Sequence, residues 1–378
     1  MKRRDIAKQA ATASAIGLAA GACGRAPQPE RLALQTDSDT VRWRMATSWP
    51  KSLDITFGTV EVFCRTLSNL TQGKFVIIPY ESGEISPGLE VLDAVMAGTA
   101  ECGHTSSHYY LAKQPALAFS AVLPFGLNAQ QRNAWLLTGG GLALIRQVFD
   151  KLGVINFPAG NTGPQMGGWF KRAIASTDDL KGVRMRIPGL GGEIMSRLGV
   201  EVKNLAADAI VGALVADELD AVEWIGPHDD EKLGLDQVAS YYYYPGWWSP
   251  AETMDLIVSL DLWNQLPSRY QAAFQAAAAL VNQSMLARYN AANSKAIERI
   301  KSKGVQVESY TADILQTAQQ VATELYAEMA DDSADFAQIY TSWQDFRQRI
   351  QQWHAVNKAS FANFVYANSP LETAKIPT

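Results

Sequence analysis

At 378 residues the chain stands at the upper size of one hydrophobic core, so two lobes are expected. Apolar content of 47% and charged content of 19% exclude a disordered or membrane-embedded body. The net charge of −5 argues against a nucleic-acid partner, because neutralising phosphates takes a clustered basic surface.

Lys2-Arg3-Arg4 precedes the small, apolar run 10–22, which ends at Cys23. A basic start and an apolar stretch shorter than the ~20 residues of a membrane-spanning helix read as an export signal over 1–22. The adjacent arginines with Lys8 downstream resemble a twin-arginine signal. Ala20-Gly21-Ala22-Cys23 fits both a small-residue cleavage site and a lipoprotein box, and either route cuts the same bond. Lipid on Cys23, the reading favoured, makes 23–40 a polar tether to a membrane surface; without it the protein is free in the periplasm. Cleavage removes Lys2, Arg3, Arg4, Lys8 and Asp5, taking the net charge from −5 to −8. Cys64 and Cys102 remain. Export permits a disulfide, but their apolar contexts read as two buried thiols.

Residues 41–47 read as a strand, followed by the turn Ser48-Trp49-Pro50-Lys51-Ser52. Ser52 or Asp54 is placed to cap a helix over 55–70, which Gly73 closes. A strand over 74–79, a short helix over 88–98 and a strand over 101–106 lead to Tyr109-Tyr110. This βαβαβ order predicts an open parallel sheet wrapped by helices. Gly139-Gly140-Gly141 opens a helix over 142–151, and 154–158 is a strand.

The stretch 161–192 is the candidate centre of function. Residues 183–187 alternate apolar and basic, the period of a strand, and Pro188-Gly189 stop it before Gly191-Gly192 open a helical run over 193–198. A strand that ends at a glycine-rich turn before a helix aims unpaired N–H groups at an anion. Arg186 stands one residue before that end with a planar fork of donors suited to carboxylate or phosphate. On these residues alone, a solvated face is the plainer account of Arg184 and Arg186. The turn is not a dinucleotide fingerprint, since Gly189-x-Gly191-Gly192 lacks the second spacing of GxGxxG.

A helix over 206–218 and a strand over 221–224 follow, ending at Gly226-Pro227. Asp229-Asp230-Glu231 reads as the first turn of a helix, where acids complement the dipole. The aromatic block Tyr241–Tyr244, Pro245, Gly246, Trp247, Trp248 precedes a strand over 256–260. Phe274, Ala278, Val281, Met285, Tyr289, Ala292, Ala296 and Ile300 form one face of a helix of about eight turns, ~45 Å, enough to span two lobes. After Gly304 and a strand over 305–309, Thr311 caps a helix to about residue 330. Phe336, Trp343 and Ile350 then repeat every seven residues, as do Ile339, Phe346 and Trp353. Such an aromatic seam wants a facing surface: its own body, or a second subunit.

Several of these stretches together resemble the substrate-binding proteins of tripartite ATP-independent periplasmic (TRAP) transporters, especially the binders of 2-oxoacids. They are Thr-Ser-Trp-Pro-Lys-Ser-Leu-Asp at 47–54, Asn-Thr-Gly-Pro-Gln-Met-Gly-Gly-Trp-Phe at 161–170, Glu223-Trp224-Ile225-Gly226-Pro227, Asp-Asp-Glu-Lys-Leu-Gly at 229–234, and the aromatic block. The resemblance implies an α/β, two-lobed periplasmic-binding-protein-like fold with open mixed sheets, a long interlobe helix and an extra C-terminal helix. Lobe I would comprise 41–160 and 249–290, lobe II 161–248 and 291–335, and 336–378 a dimerisation helix and tail. The expected partners are a small carboxylate, the membrane subunits of the transporter and a second copy of the chain.

For the site, the resemblance implies Arg186 as carboxylate clamp. It implies Gln165, Glu223 and the Trp224 backbone carbonyl as ligands of a cation that bridges protein to substrate. Many relatives carry an acidic residue directly after the aromatic pair; here Ser249 stands there and Glu252, three residues on, is the candidate substitute. Asn161, Tyr109, Gln165 and Trp224 are the other candidate substrate contacts. The oxygen donors suit Na⁺ or Ca²⁺ rather than a soft metal. Pyruvate or another 2-oxoacid leads as ligand, ahead of lactate or another hydroxy acid, a C4-dicarboxylate or glutamate.

His104 and His108 stand four apart without a third ligand nearby and read as packing or surface histidines, not a zinc site. His228 is expected at the mouth of the cleft. Most aromatics are expected in the core, with two or three at the ligand. An arginine, a carboxylate and a cation also describe a 2-oxoacid lyase or aldolase, but no GxSxG or HExxH motif is present.

Overall fold

The computed structural model describes residues 40–367. The export signal, nearly all of the tether and the last residues of the tail, 368–378, lie outside the described residues. In chain order the first lobe begins with β1 (Val41–Thr47), α1 (Thr56–Leu70), β2 (Phe75–Tyr80), α2 (Val91–Met96) and β3 (Cys102–Thr105). The short α3 (Ala118–Ala121), then α4 (Ala129–Leu137), α5 (Gly141–Asp150) and β4 (Val154–Asn161) follow. The second lobe is built from β5 (Trp169–Phe170), β6 (Arg184–Arg186), α6 (Gly189–Arg197), β7 (Glu201–Lys203), α7 (Ala207–Val215), β8 (Ala221–Val222), α8 (Pro227–Leu233) and β9 (Tyr241–Tyr244). The chain then returns through β10 (Thr253–Ser259), α9 (Leu260–Gln265) and α10 (Ser268–Ser302). It ends with β11 (Gln306–Ser309), α11 (Ala312–Asp332), α12 (Ala334–His354) and α13 (Ser360–Ala367).

Two sheets result, ordered β2-β1-β3-β10-β4 and β11-β9-β5-β8-β6-β7. The βαβαβ start pairs in parallel as expected, β1 with both β2 and β3. β10 then inserts antiparallel between β3 and β4, which makes the sheet mixed. It is buried from Thr253 to Val258, as a central strand covered on both faces must be. In the second sheet β5 runs antiparallel to β8 and β9. These two strands lie where sequence patterning showed only glycines and an aromatic block. Their pairing is cemented by Trp169 stacked on Tyr242 at 4.0 Å.

Helix boundaries differ from expectation for identifiable reasons. Neither Ser52 nor Asp54 caps α1, which starts without a side-chain cap. The Asp54 carboxylate instead meets His228 at 2.9 Å and Lys232 at 3.1 Å on α8. α6 opens at Gly189, four residues earlier than the glycines suggested. Gly191 and Gly192 are helical and small by necessity: a Cβ would fall 2.8 Å from the Trp248 side chain and 2.4 Å from the Ile187 carbonyl. α4, unforeseen, is opened by a capping box between Asn128 and Gln131. Thr311 does cap α11.

α10 runs 35 residues, about 52 Å. Its buried face includes the expected Phe274, Ala278, Val281, Met285, Tyr289, Ala296 and Ile300, while Ala292 is half-buried. It packs on α1 and β4 of the first lobe and on α8 of the second. Cys64 and Cys102 are free and buried, and burial pushes the Cys64 thiol up to about 12, so neither is a reactive thiolate.

The aromatic seam of α12 divides. Phe336, Ile339 and Trp343 enter the chain's own core, Phe336 lying 4.7 Å from Phe119 between ring centroids. Trp353, Val356, Phe361, Phe364 and Tyr366, further on, are exposed. Trp343, 2% exposed, fills a site with no solvent to replace it. Trp343→Ala is expected to cost about 3–5 kcal/mol of stability in urea unfolding; a loss below about 1 kcal/mol would show that α12 is not part of the core.

Candidate functional site

The functional side chains gather at the C-terminal ends of β3, β6 and β8 and on the turns before and after them, where open α/β sheets receive ligands. Arg186 closes β6 and is 1% exposed. Its Nε donates to the Leu205 carbonyl at 3.0 Å, and Nη1 donates to the Glu223 carbonyl at 2.7 Å and to Glu223 Oε2 at 3.1 Å. The guanidinium lies 4.9 Å over the Trp224 ring. Nη2 is buried and has no protein partner.

Glu223 follows β8, positioned by its backbone N–H on the Arg186 carbonyl at 2.9 Å. Burial pushes its carboxyl well above the usual range; Arg186 opposes that shift and Glu252 adds to it. Gln165 is anchored by its main chain, donating to the Ser249 carbonyl at 3.0 Å and accepting from Gly246 N–H at 3.2 Å. Gly246 has no alternative, because a Cβ there would fall 2.4 Å from the Gln165 carbonyl oxygen. The Gln165 amide nitrogen donates to Glu252 Oε2 at 2.9 Å, leaving its oxygen for other work. Glu252 also faces His108 Nδ1 at 2.9 Å and accepts from the Ser106 hydroxyl. Burial alone would raise the Glu252 carboxyl, but His108 and the donors Ser106 and Gln165 outweigh it and hold it below the usual range.

Two small cavities border these groups. The first is lined by Gln165, Trp248 and Ser249, the second by Tyr109, Arg186 and Trp224, and both share His108, Glu223 and Glu252. The space open to the centre of a water-sized sphere is about 20 Å³ in the first and 10 Å³ in the second. The structure therefore brings together Arg186, Gln165, Tyr109, Trp224, Glu223 and Glu252 of the candidate set. Asn161 lines neither cavity; its Oδ1 accepts from Gly163 N–H at 2.9 Å and shapes the turn that carries Gln165.

His108 corrects the sequence reading: it is a cleft residue, not a packing or surface histidine. Its signal was position, directly after the Ser106-Ser107 pair that follows a sheet strand. His104 does pack in the core, accepting from Trp49 Nε1 at 2.7 Å, and burial lowers its pKa to about 4. Asp229 and Asp230 occupy the first turn of α8 but are buried anchors rather than solvated acids. Asp230 accepts from Trp169 Nε1 at 2.9 Å, Tyr242 OH at 2.7 Å and the Ile225 and Gly226 amides, so it pins the loop behind Glu223 and Trp224. Asp229 accepts from Tyr289 of α10 at 2.7 Å.

Gln165, Glu223, Glu252 and a backbone carbonyl are hard oxygen donors; Glu223 is paired with Arg186, and Glu252, paired with His108, is a second buried carboxylate on the same cavity wall. That set fits a hard cation such as Na⁺ or Ca²⁺, whose charge offsets the excess of acid.

The signature of DctP, the bacterial extracellular solute-binding protein family 7, matches residues 45–333. The chain belongs to that family. It is 50% identical to a monocarboxylate 2-oxoacid-binding periplasmic protein of Nostoc sp., over 96% of this chain and 99% of the relative. A TRAP transporter solute-binding protein from Bordetella bronchiseptica superposes with TM-score 0.86 at 41% identity, over 87% of this chain and 98% of that one; its crystal holds a mixed-occupancy dimer with calcium and picolinate in one site. A relative from Colwellia psychrerythraea, solved with calcium and pyruvate, has TM-score 0.83 and 31% identity over 86% and 99% of the two chains. One from Pseudoalteromonas atlantica, with sodium and pyruvate, has TM-score 0.83 and 28% identity over the same shares. As a family member the protein is a periplasmic TRAP solute receptor and not an enzyme.

Burial raises Asp229 from 3.8 to about 7. An acid whose folded pKa is raised contributes stability that is fully present below about pH 4 and lost as pH rises through about 7. Asp229→Asn keeps the acceptor for Tyr289 and removes the ionisation. Its stability relative to wild type is expected to improve steadily between about pH 4 and pH 8 in urea titrations; a difference that does not change with pH would contradict the assignment.

Proposed function

We propose that the receptor captures a small monocarboxylate, a 2-oxoacid such as pyruvate, together with Na⁺ or Ca²⁺. It then releases the acid to the membrane subunits of a TRAP transporter. The observation that carries this reading is the buried Arg186 fork on the cavity lining: Nε and Nη1 are spent on the protein, and Nη2 is buried with no protein partner. A carboxylate supplies that acceptor and the missing negative charge on this side of the guanidinium. Gln165, Glu223 and the Trp224 carbonyl would hold the cation, with Glu252 as a fourth oxygen donor or as the neighbouring charge that favours it. Tyr109 and the Trp224 ring wall the cavity.

The binding solved for pyruvate with calcium or sodium in relatives at 31% and 28% identity supports the same chemistry here, as does the 2-oxoacid relative at 50%. The small cavities favour a small acid. A C4-dicarboxylate or glutamate would bring a second carboxylate against Glu223 and Glu252, a like-charge contact. Two charge-assisted bonds of ~1.5–3 kcal/mol each, with the cation contacts, suffice for micromolar affinity before ordering costs.

Calorimetry with pyruvate tests the clamp and the cation together. Arg186→Met is expected to weaken binding about 100-fold or more. Stripping Na⁺ and Ca²⁺ with chelator in a choline buffer is expected to weaken the wild type comparably. Undiminished affinity in either experiment removes that group from the role.

Export by the twin-arginine signal, with lipid on Cys23, is part of the same reading, as is a homodimer. The exposed Trp353, Val356, Phe361, Phe364 and Tyr366 offer the dimer an apolar face, and the Bordetella bronchiseptica relative crystallised as a dimer. Because Phe336, Ile339 and Trp343 serve the chain's own core, the informative truncation ends after His354. Sedimentation is expected to give a dimer for the mature chain and a folded monomer for the truncation; a monomeric mature chain would refute the interface.

A further inference from the structure

His108 sits in the short 3-10 turn Ser107–Tyr110 that follows β3, and its ring is held on three sides. Nδ1 meets Glu252 Oε1 at 2.9 Å. The Tyr109 ring stands edge-on at 4.4 Å between centroids. From the other lobe, Gly189 comes so close that a Cβ there would lie 3.0 Å from His108 Cβ, at a backbone φ of +65° that itself favours glycine. With Nδ1 engaged, Nε2 is the remaining hydrogen-bonding atom of a locked ring, and it is buried without a partner.

Its position is specific. The wall common to both cavities consists of His108, Glu223 and Glu252. Two of these are carboxylates, which repel an electron-rich oxygen unless a cation intervenes; the imidazole nitrogen can bond one directly. In a carboxylate held by Arg186, the oxygen at C2 is carried by the very next carbon, so the group that reads it must border the Arg186 cavity. Trp248 Nε1 and Ser249 Oγ also lack partners but line the other cavity alone. Trp224 Nε1 borders the Arg186 cavity, but that indole presents its face to the guanidinium at 4.9 Å.

We infer that His108 is a specificity-determining residue whose Nε2 hydrogen-bonds the oxygen at C2 of the bound acid, selecting 2-oxo and 2-hydroxy acids over acids bare at that carbon. The inference rests on the carboxylate reading above and sharpens it. With Nδ1–H given to the Glu252 carboxylate, Nε2 accepts from a 2-hydroxyl when the ring is neutral and donates to a 2-oxo oxygen when the ring is doubly protonated, so one residue serves both oxygen types. An acid without the C2 oxygen leaves Nε2 buried and unpaired, and a site built to pair a polar group rejects such ligands.

The test is calorimetry of pyruvate, lactate and propionate with the mature wild type, H108F, H108Q, H108N and W224F. The wild type is expected to prefer pyruvate or lactate to propionate by about tenfold or more, the scale of one buried hydrogen bond. H108F is expected to lose that preference. H108Q, whose amide reaches the Nε2 position, is expected to keep part of it, and H108N, whose amide mimics Nδ1, to lose it. If H108F fails to fold, the contrast between H108Q and H108N decides. A preference retained in H108F or in H108N, or abolished by W224F but not by the His108 variants, overturns the inference. So does a wild type that binds pyruvate and propionate equally, which leaves the carboxylate reading intact. A wild type that binds none of the three acids overturns both.

Discussion

The constraint on which the site depends is electrostatic: one guanidinium buried against a buried carboxylate, with a second buried carboxylate on the same cavity wall. A charge in a protein interior must be paired and hydrogen-bonded, or it shifts its protonation or forces the structure open. Arg186 meets part of that demand within the protein, through Leu205 and Glu223, and leaves its Nη2 buried without a protein partner. Glu223 is correspondingly pushed well above its normal range by burial. Under the proposed reading, an anion and a cation entering together would each supply the charge the other needs.

The second lobe delivers this chemistry through α8. The loop before it carries Glu223 and Trp224, Asp230 pins that loop to Trp169 and Tyr242, and Asp229 ties the helix to Tyr289 of α10. On its outer side, His228 and Lys232 reach Asp54 of the first lobe. A short helix of seven residues thus touches the ligand loop, the long bridging helix and the opposite lobe. His228, expected at the mouth of the cleft, lines neither cleft cavity; its partner is Asp54, the aspartate that sequence reasoning had offered as a helix cap.

Much of the scaffold was legible without coordinates. The spacing of Phe274, Val281, Met285 and Tyr289 declares a long one-sided helix, and α10 has that buried face. The alternation over 183–187 declares a strand with Arg186 near its end. Less legible were the two-residue β5 and the four-residue β9, too short for periodicity to register, whose existence depends on neighbours brought from other parts of the chain. Asp54, Asp229 and Asp230 were read by helix-end rules, which treat an acid as solvated. The burial of Asp229 and Asp230, and the reach of the exposed Asp54 to α8, follow from tertiary packing, which no local rule contains.

By itself the sequence determined the α/β order of elements, the long helix, the buried thiols and the residue types able to hold an acid and a hard cation, since all of these follow from local pattern and donor chemistry. Only the tertiary structure decided which of them meet. It folded Phe336, Ile339 and Trp343 back onto the chain's own core, kept Asn161 behind the cleft and drew His108 into it. The physical reason is distance along the chain: residues 108, 186 and 252 become neighbours only when β10 returns between β3 and β4 and the second lobe closes on the first, and an unpaired ring nitrogen or guanidinium has meaning only once its surroundings are dry.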